Sequence, residues 1–348
     1  MSPNLSRRDF LKLSGLGITS LAFRPNLNFN QMQNGDELLR VANASVSVYS
    51  KPDETSKINF QRFRDEVVNI YYEVESDKAP KYNPFWYRVW GGYIHRARVQ
   101  KVTFKLNNVP SKLSVGLHLA EVTVPYTQSY LLRKNGTWTQ IYRLYYDSVH
   151  WVVGIIEGPD GEAWYRIRDD TLAYEEDLDY YVPAKHLRLI DAAEVTPISP
   201  DVPSDNKHID VSLAKQELTA FENGNIVLQT KISSGLDYTP PGETTYKTPT
   251  GKFFIQLKMP SKHMGDSTLI FDPEAYIIPG VPWTSFIDWE KGVAFHGTYW
   301  HQNYGIPMSH GCINMKIEEA KWLFRWVTPQ MDMTKMKTNG QGTQVLIY

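Results

Sequence analysis

Cysteine is almost absent from this chain, with one, Cys312, in 348 residues. A single cysteine excludes an intramolecular disulfide framework and any multi-thiolate zinc site within one chain. Charge of one sign is missing too: 37 Lys and Arg stand against 38 Asp and Glu, a formal net charge of −1. That balance offers no footprint for nucleic acid or an anionic membrane surface. No run of 18 apolar residues occurs, so no stretch is long enough to span a bilayer stably. What the chain has in quantity is apolar residues, 42%, with 10 Trp and 21 Tyr. This is a globular composition, and the length fits two or three domains. A lone free cysteine is ordinarily a small buried hydrophobe. Its neighbours decide whether Cys312 is more than that.

The N-terminus reads as an address. Arg7 and Arg8 precede Phe10 and Leu11, and a short apolar stretch covers residues 13–23. The string SRRDFLK resembles a twin-arginine export signal; the blander alternative is an ordinary basic helix start. Residues 1–23 are therefore read as an export signal. Ser20 and Ala22 permit a cut after Ala22; uncut, the segment is the chain's one membrane attachment. An extracytoplasmic protein, in the cell envelope or secreted, is expected, and an unpaired thiol there needs a reason.

Residues 24–37 are polar and read as a linker. From 38 to 192 the pattern is short, alternating and aromatic-rich, which predicts strands. It also repeats. Trp86-Tyr87-Arg88-Val89 returns as Trp164-Tyr165-Arg166-Ile167, and Val46-x-Val48 as Val122-x-Val124. Two all-β modules are expected, 38–105 and 112–192. Their WYRV…GGYIH pattern resembles bacterial Src-homology-3-like barrels of cell-wall proteins, which implies contact with wall polymer; the alternative is a pair of spacers with aromatic cores. Residues 193–206 carry three prolines and mark a boundary. Beyond them, 207–348 again reads as strands, with a hairpin turning at Asn223-Gly224.

The chemistry concentrates late in the chain. His296, His301 and His310 fall within fifteen positions, and Cys312 follows two residues after the last. Three readings compete. In the first, Cys312 is a nucleophile; a nearby imidazole takes its proton and holds the thiolate as an ion pair. Ile317, Ala320, Leu323, Phe324 and Val327 recur at helical spacing, so a helix is expected just after Cys312, with Asn314 as its cap and Glu318 and Glu319 in its first turn. The amides of Gly311 and Cys312 are candidates for an oxyanion hole. In the second reading His296, His301, His310 and Cys312 bind zinc, although H-x4-H-x8-H-x-C follows no common structural zinc spacing. In the third they fill a core, for which Gly, Ser, His and Asn are poor material.

His296-Gly297-Thr298 followed by Ser309-His310-Gly311-Cys312-Ile313-Asn314 resembles the signature of the L,D-transpeptidase catalytic domain, the YkuD-type fold. Thr248-Pro249-Thr250-Gly251-x-Phe253 resembles an upstream strand start of the same family. The resemblance covers 207–348. It implies a mainly β chain: two small Src-homology-3-like barrels, then a β-sandwich catalytic domain with a short helix after the catalytic Cys. It also implies Cys312 as nucleophile, His296 as general base, and the Gly297 carbonyl orienting His296. Ser309, His310, Gly311 and Asn314 would support the site, with His310 a buried or wall residue. His301 would lie at the surface or rim. Tyr299, Trp300, Tyr304 and Met308 are candidates for the substrate groove, each with core packing as the alternative. The implied partners are peptidoglycan stem peptides. The implied reaction expels D-Ala from a tetrapeptide stem through a Cys thioester, which an amine of another stem then takes up as a 3→3 cross-link. No metal or organic cofactor is needed, and carbapenems would acylate Cys312. A stem-peptide hydrolase and a non-catalytic wall-binding protein are the alternatives.

Overall fold

The structure, a computed structural model, describes residues 32–33, 35–170, 179–239, 241, 245–265 and 277–348. The export-signal segment and most of the 24–37 linker lie outside the described residues. The alternating segments are strands because successive side chains on a pleated backbone point to opposite faces. In Ser45–Tyr49, Val46 and Val48 are buried while the residues between them are only partly covered.

The strands between Glu37 and Thr103 form two sheets, one of three strands and one of five. Leu39, Val41, Val46, Val48, Tyr87, Val89, Ile94 and Val99 fill the space between them. The strands between His118 and Leu189 form a seven-stranded antiparallel sheet. The sequence repeat has a structural counterpart. Phe85–Val89 pairs with Gly92–His95 as Ala163–Arg168 pairs with Tyr180–Pro183. Each pair then runs through a short 3-10 turn into a further strand. Tyr87 and its counterpart Tyr165 are both buried.

Residues 207–347 fold into two five-stranded sheets. In the first, Lys207–Ser212 lies parallel to Gln344–Ile347. In the second, Val293–Gly297 lies parallel to Ile313–Met315. Asn223 and Gly224 turn the expected hairpin with φ of 50° and 79°; two positive φ values are what a two-residue type I′ turn requires. The helix Ile317–Trp326 buries Ala320, Leu323, Phe324 and Trp326 on one face. They pack among Ile209, Val211, Trp283, Phe295 and Ile313. Leu119, Val149 and Trp151 from the seven-stranded sheet join that same cluster, and Gln33–Tyr348 is one compact unit. The proline-rich stretch at 193–206 is no free tether. Val195 and Ile198 pack on the core, and Lys207 Nζ donates to the carbonyls of Ile198, Ser199 and Trp326.

The helix after Cys312 is present but starts later than expected. Asn314 is not its cap: it sits in the strand Ile313–Met315, opposite His296, and Lys316 occupies the cap position. The strand wins locally because Asn314 exchanges both backbone hydrogen bonds with Ser233, and its side chain is engaged by His301.

Candidate active site

Two parallel strands bring the catalytic candidates together. His296 lies in Val293–Gly297, and Cys312 immediately precedes the neighbouring strand Ile313–Met315. Both line a cavity of about 470 Å³ whose wall includes Trp289, Gly292, Trp300, Met308, Ser309 and His310. Cys312 is part-covered and packs on Leu257, Met259, Phe286 and Ala294. Its thiol donates to the Gly292 carbonyl at 3.2 Å. Burial pushes the thiol up to about 11, against a backbone hydrogen bond at Ala294 that favours the thiolate. His296 is 2% exposed, and its Nδ1 lies 3.0 Å from the Gly297 carbonyl. A carbonyl can only accept, so Nδ1 carries the proton and Nε2 is left as an acceptor. Burial lowers His296 to about 4, opposed by that Gly297 hydrogen bond.

These environments correct the expected ion pair. Among the described residues no hydrogen bond joins Cys312 to His296. An apolar setting penalises both charged forms, so the resting pair is a protonated thiol and a neutral imidazole.

The loop carrying Cys312 is tied down from behind. Ser309 Oγ donates to the Cys312 carbonyl and accepts from Gly311 N at 3.2 Å. The expected pair of free amides at Gly311 and Cys312 is thus halved, because Gly311 N–H is already engaged by Ser309. Gly311 has φ of 121°, which glycine alone adopts readily. Thr248 Oγ1 donates to the Gly311 carbonyl at 2.8 Å and accepts from Gly235 N at 2.8 Å. A Cβ on Gly235 would fall 2.0 Å from the Tyr246 carbonyl oxygen and 2.9 Å from Gly311 Cα, so only glycine permits this approach. Thr248 is therefore a positioning residue for the Cys loop. Its only sequence signal was its place in the Thr-Pro-Thr-Gly string.

Comparison with known proteins bears on the domain that holds this cavity. The family profile described as the L,D-transpeptidase catalytic domain (YkuD) matches residues 206–347. The solution structure of the catalytic domain from E. faecium L,D-transpeptidase is 30% identical, with 41% of this chain and 96% of that chain covered and a TM-score of 0.30. Residues 206–347 are thus matched to the L,D-transpeptidase catalytic domain. The same E. faecium domain acylated by ertapenem is 29% identical, covering 41% of this chain and 97% of that one, at a TM-score of 0.30. An L,D-transpeptidase from Xylanimonas cellulosilytica is 28% identical; 41% of this chain and 60% of that chain are covered, with a TM-score of 0.28. No curated protein matches.

Within this L,D-transpeptidase domain the remaining candidates separate. Trp300 and Met308 line the cavity. Tyr299 does not: it is 3% exposed, its hydroxyl donates to the Pro279 carbonyl, and its ring meets Tyr145. Tyr304 is also turned away, its hydroxyl donating to the Met315 carbonyl at 3.0 Å. His310, expected buried or in the wall, lines the cavity and is exposed, its ring edge-on to Tyr246. His301, expected at the surface, is buried. Asn303 N donates to its Nδ1 at 3.2 Å, and its Nε2 lies 2.8 Å from the Asn314 carboxamide. The four residues of the zinc reading do not converge, and among the described residues no three His, Cys, Asp or Glu side chains form a metal-holding group. Sequence reasoning also missed the cavity's far wall. Lys262 and His263 line it and are held by Asp170 and Asp169 from the seven-stranded sheet's connections, His263 Nδ1 at 2.8 Å from Asp169.

Proposed function

We propose that the protein is a peptidoglycan L,D-transpeptidase with Cys312 as nucleophile and His296 as general base. The observation that carries this is the His296 Nδ1 to Gly297 carbonyl bond, which leaves Nε2 as an acceptor on the strand beside Cys312. A neutral thiol next to a neutral imidazole favours proton transfer as the sulfur attacks. Cys312 adds to the carbonyl of the third stem residue while His296 takes the thiol proton. Breakdown of the adduct cleaves the amide, and His296 returns that proton to the departing D-Ala amine. The thioester is then attacked by the side-chain amine of another stem; His296 accepts the amine's proton, and the thiol is restored with a 3→3 cross-link formed. The Cys312 amide is the remaining motif donor for the developing oxyanion.

The cell envelope is the matching location, reached by the twin-arginine route through residues 1–23. The two N-terminal β modules, read as Src-homology-3-like, contact wall polymer. Among the described residues no helix is long and apolar enough to cross a membrane.

The test is incubation with tetrapeptide-stem fragments followed by mass spectrometry. A Cys312-linked adduct lacking D-Ala, and cross-linked dimer as product, are expected; both vanish in Cys312→Ala. Tripeptide alone would establish a hydrolase instead. Full turnover by Cys312→Ala would end the thiol mechanism.

A further inference from the structure

The segment 298–304 leaves the catalytic-His strand and passes between two different surroundings. On its inner side Trp300 packs on the His296 ring, with centroids 5.7 Å apart. His301 holds Asn314, and Asn303 Nδ2 donates to Met308 Sδ at 3.4 Å. On its outer side the partners come from the first N-terminal module. Arg40 Nη2 donates to the Tyr299 carbonyl at 3.1 Å. Asn83 Nδ2 donates to the Gln302 carbonyl at 2.9 Å and to Asn303 Oδ1 at 3.1 Å. Gln302 N donates to the Ala97 carbonyl at 3.2 Å.

These contacts are built rather than incidental. Arg40 is 2% exposed and Asn83 1%. A buried guanidinium is tolerated only where its charge and donors are met. Asp65 meets Arg40 at 3.0 Å, Gln100 Oε1 accepts two further bonds, and the guanidinium lies 4.1 Å over the Tyr145 ring. One donor is still directed at a loop carbonyl beside the active site. Asn83 is itself oriented by Arg96 Nε, which donates to its Oδ1 at 3.2 Å.

We propose that the first N-terminal module is a working part of the active site: Arg40 and Asn83 are positioning residues that fix the 299–303 segment, and with it Trp300 against His296 and His301 against Asn314. Without these bonds the segment relaxes, Trp300 no longer covers His296, and water reaches the strand pair that holds the thiol protonated. Loosening the clamp therefore changes the chemistry of Cys312 and not only the stability of the fold. The acylation readout rests on the proposed roles of Cys312 and His296; alkylation of the thiol depends on neither.

The experiment uses the full chain and the variants Asn83→Ala, Arg40→Ala and Arg40→Lys. Arg188→Ala serves as the control, since Arg188 ties Glu121 to Glu194 at a contact that does not touch the segment. Two quantities are read: the rate of ertapenem acylation by mass spectrometry, and the pH profile of iodoacetamide alkylation of Cys312. Asn83→Ala is expected to slow acylation at least tenfold and to move the alkylation profile to lower pH, with thermal unfolding still cooperative. Arg40→Lys, which keeps the charge for Asp65, falls between wild type and Arg40→Ala; Arg188→Ala changes neither readout. Wild-type acylation and a wild-type pH profile in folded Asn83→Ala would overturn the proposal, as would an equal loss in Arg188→Ala. Should Arg40→Ala fail to fold, Asn83→Ala decides alone.

Discussion

His296 and His301 are both buried and both held neutral, at about 4 and about 3. They differ in which nitrogen remains available. His301 has partners at both ring nitrogens, whereas among the described residues His296 is engaged only at Nδ1. The pH dependence of thioester formation follows from this. As the proposed base, His296 must be neutral to take the thiol proton, so the rate should fall as pH drops through about 4 rather than through the ordinary histidine range near 6.5; a stopped-flow pH series with ertapenem measures it. His296→Gln removes the basic ring nitrogen and should reduce acylation by about 10²–10⁴, the usual yield of general base catalysis. The same environment keeps Cys312 quiet. With the thiol at about 11, only about one molecule in 10⁴ is thiolate at pH 7. Peroxide titration should oxidise it far more slowly than a free thiol; oxidation at the free-thiol rate would show the pocket to be open.

At the scale of elements, the loop before Ile313–Met315 depends on Thr248, whose hydroxyl serves both Gly311 and Gly235. Thr248→Val keeps the shape and removes both bonds, which should cost about 1–3 kcal/mol in urea unfolding and slow acylation several-fold. A second buried polar group lies under the helix. Lys258 Nζ donates to the Val327 carbonyl at 2.9 Å, 4.6 Å over the Phe324 ring, and burial lowers it to about 7. The unfolded chain keeps that proton to about pH 10.5, so between about 7 and 10.5 the unfolded state binds more protons and this site makes stability rise with pH. Lys258→Met should stabilise the protein at pH 6 and remove that part of the slope, read from denaturation midpoints across pH. Local pattern was legible where chemistry is local: the Asn223-Gly224 turn, the helical spacing from Ile317, the Cys312 motif. It misled at Asn314, a good cap residue by type, because the choice between cap and strand was made by Ser233 and His301, neither adjacent in the chain.

Across the whole molecule, distance in the chain hides some neighbours. Tyr299 resembles a rim aromatic in a motif, but Arg40 and Tyr145 from the preceding modules hold it, whereas His301 and Tyr304 are turned inward by Asn303, Asn314 and Met315 of their own domain. Asp65 is the node of that junction. It is 3% exposed and joins Arg40 of one module to Arg143 of the next. Asp65→Asn leaves two guanidinium groups without their counter-charge and should destabilise the protein by about 3–5 kcal/mol, read as a lower urea midpoint that added salt does not restore. The merged core of the seven-stranded sheet and the catalytic sheets makes a single cooperative transition the expected form of that unfolding. The clasp on residues 299–303 also bears on domain shuffling. A catalytic domain grafted behind these modules would need Tyr299, Gln302 and Asn303 in register with Arg40, Asn83 and Ala97. Exchanging either part alone would break these bonds, so the modules and the catalytic domain make one engineering unit rather than interchangeable parts.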